Sequence, residues 1–199
     1  TTPVLTPNPI AAGLTTSGDP ILIDASSSIT SIGFAKQEMQ AGRKLPGAWV
    51  IDHAGNATDD PGALHTEPKG ALLPLGGLDA GHKGFGLGLL VEAMTAGLSG
   101  HGRADPPEGW GGTVFVQVLD PEAFGGLTAF KRQMDHVVAA CHDAKPRPGV
   151  ARVRLPGEAG MKRLREQRER GIALYPTIMP ALAPWADKLG VVVPSPLTG

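Results

Sequence analysis

The run Leu73-Pro74-Leu75-Gly76-Gly77, followed by Gly81-His82-Lys83-Gly84-Phe85-Gly86-Leu87, decides how this chain is read. Glycine lets a backbone approach a ligand or another segment closely, and here it clusters directly before the most apolar stretch of the sequence. From about Gly84 to Ser99, Leu87, Leu90, Val91, Met94 and Leu98 form one apolar stripe at helical spacing, which predicts a helix. A helix N-terminus offers unpaired N–H groups to an anion, and Lys83 adds a positive charge beside them. The segment suits a phosphate or a carboxylate, or else it is a tight helix-entry turn with an exposed lysine. Its spacing is not that of a Walker loop, and no strong strand leads into it as a Rossmann fingerprint requires.

Working outward, residues 1–20 carry Pro3, Pro7, Pro9 and Pro20 and read as an extended, loop-rich entry. Ile21-Leu22-Ile23 is a short buried strand ending at Asp24. Ser26 to Lys44 then reads as a helix, with Ile29, Ile32, Ala35 and Met39 on one face and Ser26 or Ser27 as its cap. Trp49 to Asp52 is a second short strand or a turn, with a loop tip at His53-Ala54-Gly55-Asn56. Residues 59–80 form a long loop, of a length that is uncommon unless it builds a site.

Beyond the central helix, Arg103 to Gly112 is a second loop, containing Trp110. Thr113 to Leu119 is the strongest strand in the chain, and Ala151 to Leu155 alternates as a half-buried one. Helices are predicted over Leu127–Asp143, Ala159–Arg170 with Gly171 as C-cap, and Thr177–Leu189. Strands interleaved with helices place the chain in the α/β or α+β classes, as one domain or the larger part of one.

Composition narrows the function. Lys plus Arg is 18 against 19 Asp plus Glu, a net charge of -1, so the basic excess of a nucleic-acid or polybasic membrane binder is lacking. Hydrophobic residues at 41% and charged residues at 19% argue against disorder. One cysteine excludes an intrachain disulfide framework and any multi-Cys zinc site. The 28 Gly and 19 Pro follow no repeat, so they mark turns rather than a fibrous or low-complexity chain. No window reaches the roughly 18 apolar residues of a membrane span, and no secretory signal is visible, so a cytoplasmic location is the default.

Two further segments carry candidate chemistry. Asp24-Ala25-Ser26-Ser27-Ser28 sits at a strand's end and could hydrogen-bond a cofactor phosphate, or simply cap the next helix. In Arg154-Leu155-Pro156-Gly157-Glu158, Gly157 permits a turn, and Glu158 begins a helix whose dipole stabilises it. There Glu158 is either a ribose-hydroxyl acceptor or a structural first-turn acid. The six histidines form no metal pattern, since His136 and His142 are off-face and no H-x-x-x-H occurs. Cys141 lies on an apolar helix stripe and reads as core. The charged run Lys162–Arg170 reads as a solvated helix face.

Taken together, Asn8-Pro9-Ile10-Ala11, Ile23-Asp24-Ala25-Ser26-Ser27-Ser28, the two glycine runs of the central segment and Arg154-Leu155-Pro156-Gly157-Glu158 resemble the type-2 malate/L-lactate dehydrogenase family. The matches keep the family's order and extend to Glu169-Arg170-Gly171-Ile172. The resemblance implies a non-Rossmann α/β fold, a homodimer, and NAD or NADP bound by Asp24, Ser26, Ser28, His82, Lys83, Gly84, Gly157 and Glu158. It also implies a proton-donating histidine in a Ser-His-Gly segment of an N-terminal region, neither of which these 199 residues contain. Ser99-Gly100-His101-Gly102 lies in the wrong part of the chain to be that segment. Thr6-Pro7 replaces the family's usual Gly-Thr and removes one backbone donor.

Two readings follow from a chain that begins Thr1-Thr2-Pro3. In the first, this is the larger part of a dehydrogenase or reductase of small 2-hydroxy, 2-oxo or 2-imino acids. It would be completed by an N-terminal segment, with Lys83 and the amides near Gly84 holding anionic groups. In the second, cleavage before Thr1 frees an α-amine that activates its hydroxyl, giving a self-processed two-chain amidohydrolase without a nicotinamide cofactor.

Overall fold

The computed structural model describes residues 3–106, 109 and 111–196. Pro9–Leu14 (β1) and Ile21–Ser26 (β2) pair antiparallel, from Pro9 opposite Ser26 to Leu14 opposite Ile21. The entry segment is therefore extended, as its prolines require, but it is also a paired strand. Its turn is held by Thr16, whose hydroxyl donates to the Asp19 carbonyl at 2.8 Å and accepts from the Gly18 N–H at 3.0 Å.

The helix expected from Ser26 begins only at Ile32 (α1, Ile32–Gln40), and its cap is Ser31, which accepts from the Phe34 N–H at 3.0 Å. Residues 26–28 stay extended because neighbours on both sides take their backbone bonds. Ser27 N–H donates to the Asn8 carbonyl at 2.9 Å, and the Ser27 carbonyl accepts from Leu75 N–H at 2.8 Å.

The second sheet places Val50–Ile51 (β3) between Ala57–Thr58 (β4) and Ala71–Leu72 (β5), all antiparallel. Val50 and Ala35 are fully buried there, with Leu45 and Ala63 beside them and Trp49, Leu64 and Leu72 packed around. The stretch 59–80, expected as loop, is built instead of a 3-10 turn at Pro61–Leu64, β5 and the start of the next helix. Asp60 caps that turn by accepting from Gly62 N–H at 2.8 Å.

Gly77–Glu92 (α2) starts earlier than its apolar stripe indicates, breaks at Ala80 and continues into a π-helical turn over Ala93–Gly97. Its buried residues are Gly81, Gly84 and Gly88, whereas Leu90 and Leu98 on the leucine stripe are exposed. The stripe set the expected helix, but the glycine face packs. Main chain of Leu75 and Ser27 lies directly against Gly84, the Pro74 ring against Gly81, and the Leu5 and Ser27 side chains against Gly88.

Leu127–Asp143 (α3), Glu158–Arg170 (α4) and Ile178–Leu189 (α5) form within one residue of expectation, and Gly171 ends α4 at a φ of 82°. The two remaining predicted strands pair with none of the described residues. Thr113–Leu119 has no regular secondary structure, with Val114, Val116 and Val118 exposed and no backbone hydrogen bond to the described residues. Val153 and Leu155 keep the alternating burial of a strand without a partner. β-propensity favours a strand, but a strand needs a neighbour to bond its N–H and C=O groups. Helices interleave with antiparallel strands, and no parallel pair occurs among the described residues, which agrees with a non-Rossmann fold.

Candidate functional site

Strand β2 brings the three predicted segments together. At its start, the outward N–H of Leu22 donates to the Pro156 carbonyl at 3.1 Å. This seats the Pro156-Gly157-Glu158 turn on the edge of the strand away from β1. Gly157 adopts a φ of +94°, and a Cβ there would stand 2.8 Å from Leu22 Cβ, so the contact requires glycine. Asp24, two residues on, is exposed on the strand. At the far end Ser26 and Ser28 share a hydroxyl–hydroxyl bond of 2.9 Å, and Ser28 also donates to the Thr30 carbonyl at 2.6 Å. From Leu22 to Ser28 the segment covers about 20 Å at roughly 3.3 Å per residue.

Helix α2 meets that far end. A Cβ on Gly84 would stand 2.3 Å from Leu75 N and 2.7 Å from the Ser27 carbonyl oxygen, so backbone touches backbone here. The Gly84 N–H donates to the Leu75 carbonyl at 3.0 Å and is not free for an anion. The expectation that amides near Gly84 would bind one is therefore corrected at Gly84 itself: it is a buried packing position. Its neighbours His82 and Lys83 remain exposed, on a helix whose backbone is pinned next to the serines.

A polar network anchors this helix. Asn8 is buried, donates its backbone N–H to Ser27 Oγ at 2.9 Å, and donates from Nδ2 to the Gly88 carbonyl at 3.2 Å and to Glu92 Oε1 at 2.9 Å. Arg103 donates to the same Glu92 oxygen at 2.6 Å and to Thr6 Oγ1 at 3.0 Å. These bonds, Arg103 first and Asn8 second, hold the Glu92 carboxyl below the usual carboxylate range against the opposing effect of burial.

Glu158 is not a free acceptor. His142 Nε2 bonds its Oε1, and Arg152 Nη2 stands 3.0 Å from Oε2. That second oxygen is buried without an aligned hydrogen bond, so Arg152 acts on it as a nearby charge. The His142 bond, foremost, lowers the Glu158 carboxyl below its ordinary range. The group lies on a cavity of about 540 Å³ between the β1–β2 turn, α3 and α4. Two more pairs frame the cavity: Ser17 donates to Asp135 at 2.6 Å and Arg165 to Asp19 at 2.8 Å.

Sequence reasoning singled out Glu158 but missed its partners. His142 matches no metal spacing, and a pair separated by 16 residues leaves no periodic signal. Asn8 stands out only through the family resemblance, and nothing in the sequence gives Arg103 or Glu92 a functional role. No group of three or more potential metal ligands occurs among the described residues, and no helix among them is long and apolar enough to cross a membrane. Thr1, the nucleophile of the hydrolase reading, and Trp110 lie outside the described residues.

Comparison with known proteins places this geometry. The family model described as malate/L-lactate dehydrogenase matches residues 1–183, and the chain belongs to that family. It is 34% identical over 197 residues to the L-lactate dehydrogenase of Cupriavidus necator, covering 96% of this chain and 55% of that protein. It is 34% identical over 188 residues to the Delta(1)-pyrroline-2-carboxylate reductase of Ancylobacter novellus, covering 87% and 50% respectively. The malate dehydrogenase structure from Entamoeba histolytica shares the fold, with a TM-score of 0.77 at 21% identity over 94% of this chain and 56% of that one. The chain thus spans about half the length of the relatives it matches. These relatives are dehydrogenases or reductases by name, and none is a hydrolase.

Proposed function

We propose that this chain carries the cofactor-binding part of an NAD(P)-dependent oxidoreductase acting on small 2-hydroxy, 2-oxo or 2-imino acids. In this reading it works with a further portion of the family fold, in a homo-oligomer. The observation that carries the reading is β2 itself, which joins the Gly157–Glu158 turn, Asp24, and the Ser26–Ser28 corner with Lys83 along one 20 Å edge (about 3.3 Å per residue). That length and chemistry suit an extended dinucleotide. Asp24 offers an exposed carboxylate to ribose hydroxyls, and Lys83 and His82 offer donors to phosphate or to a substrate carboxylate. Ser26 orders the corner through its bond to Ser28. The nicotinamide ring, when bound, supplies or accepts the hydride. The proton-moving histidine implied by the family belongs, in this proposal, to the portion outside these 199 residues.

Nicotinamide fluorescence with NADH and NADPH tests the reading directly. At least one should bind, and Lys83→Gln should weaken that binding about tenfold, equivalent to about 1.4 kcal/mol, with unchanged far-UV circular dichroism. Failure of both nucleotides to bind when the full assembly is present would refute the proposal. So would a Lys83→Gln variant that binds like the parent.

A further inference from the structure

The Pro156-Gly157-Glu158 turn can serve a ligand along β2 only while it stays seated on that strand. Two ties are local. Leu22 N–H donates to the Pro156 carbonyl at 3.1 Å, and Gly157 packs against the Leu22 backbone without room for a Cβ. The third comes from a different element: His142, in the last turn of α3, bonds the Glu158 carboxylate at the first residue of α4. We propose that His142 is a positioning residue which, when protonated, latches the Glu158 turn onto β2, so that dinucleotide occupancy falls as the imidazole loses its proton. This deepens the functional reading above and rests on it for its ligand.

The surrounding charges make His142 the controlling group. Arg152 faces Glu158 from the extended segment before the turn, at 3.0 Å but not aligned for a hydrogen bond to the buried Oε2. Arg165, on α4, is taken by both oxygens of Asp19 on the hairpin turn, at 3.0 and 2.8 Å. Asp135, two turns back on α3, is held by the Ser17 hydroxyl and N–H. Lys162, on α4, faces Glu166 at 3.7 Å. Asp143 follows His142 on α3. Among these groups only imidazole ordinarily changes charge between about pH 5 and 8.

The protonated ring makes a charge-assisted bond to the carboxylate, roughly twice as strong as a neutral one. The neutral ring keeps at best an uncharged N–H···O bond. In the other tautomer it turns a lone pair toward the carboxylate. His142 is 39% exposed at the cavity wall, so protons reach it freely.

The Leu22 amide reports the latch without any nucleotide, because its N–H is the one bonded to Pro156. Its hydrogen exchange, measured by NMR from pH 5.5 to 8.5 and corrected for intrinsic rates, should lose about fivefold protection across that interval. His142→Gln should flatten the profile. His142→Lys, charged throughout, should also flatten it while keeping the high-protection level at pH 8.5. NADH affinity in the parent should fall by a similar factor over the same range. A flat parent profile, a His142→Gln variant that keeps the drop, or pH-independent NADH affinity would each overturn the proposal. If neither NADH nor NADPH binds at any pH while the Leu22 profile behaves as stated, the latch stands and the cofactor reading fails.

Discussion

Replacing Gly84 by alanine tests how α2 is seated against the serine corner. The added methyl would lie 2.3 Å from Leu75 N, 2.6 Å from Leu75 O and 2.7 Å from Ser27 O, all backbone atoms that cannot rotate away. Overpacking of this kind costs about 1–3 kcal/mol and more where main chain must move. Displacing the helix also stretches the 3.0 Å bond from Gly84 N–H to Leu75 O, which contributes about 1 kcal/mol. Alanine recovers roughly 1 kcal/mol of helix propensity, leaving a net loss of about 1–3 kcal/mol, at the upper end, about 3 kcal/mol, because only main-chain atoms oppose the methyl. For a chain of this size that lowers the melting temperature by about 6–12 °C. Gly86, two residues away, provides the control. A Cβ there meets nothing within 4 Å, so Gly86→Ala should stabilise by up to about 1 kcal/mol and raise the melting temperature by roughly 2–4 °C. Thermal and urea unfolding followed by circular dichroism would measure both. A Gly84→Ala variant as stable as Gly86→Ala would show that α2 does not lie backbone to backbone on Leu75 and Ser27.

Other perturbations reach separate parts of the structure. Asn8→Ala strips the Gly88 carbonyl and Glu92 of a buried donor and should cost about 1–3 kcal/mol in urea unfolding; a change under about 0.5 kcal/mol would remove the network from the account. Glu92, held below its ordinary value of 4.5 in the folded state, contributes stability that is present above that pH and lost as pH falls through the lowered folded value. Stability measured from pH 6 to 3 should therefore fall less steeply in Glu92→Gln than in the parent, and parallel curves would contradict this. Gly157→Ala must hold a left-handed φ and crowd Leu22, so it should destabilise by roughly 2 kcal/mol and reduce protection of the Leu22 amide. Val116 is 77% exposed in the unpaired segment, so Val116→Lys in this chain should shift stability by no more than about 0.5 kcal/mol. A loss above 1 kcal/mol would mean that the strand is paired.

Local pattern was legible wherever a segment decides its own conformation. The amphipathic repeat of Leu127–Asp143 and the Gly171 cap describe helices that form almost at their expected bounds. The Ile21–Ile23 strand also appears, extended to Ser26, but only Ile21 is buried as expected, and Leu22 and Ile23 are exposed. The candidate site was legible through its unusual glycines and serines, because close backbone approach leaves a mark in composition. Its ion pairs were not, since Glu158–His142 and Glu92–Arg103 join residues that share no period.

What the sequence alone determined here is the family, the positions of the helices, and the residues on which a site can be argued. Each rests on interactions between near neighbours or on motifs that survive in linear order. Tertiary structure decided the rest. Ser26–Ser28 stays extended because Asn8 and Leu75 claim its backbone, α2 buries Gly81, Gly84 and Gly88 rather than its leucines, and Thr113–Leu119 has strand composition without a strand partner among the described residues. In each case the outcome depends on which distant backbone arrives to satisfy the hydrogen bonds and fill the space, and no local propensity carries that information.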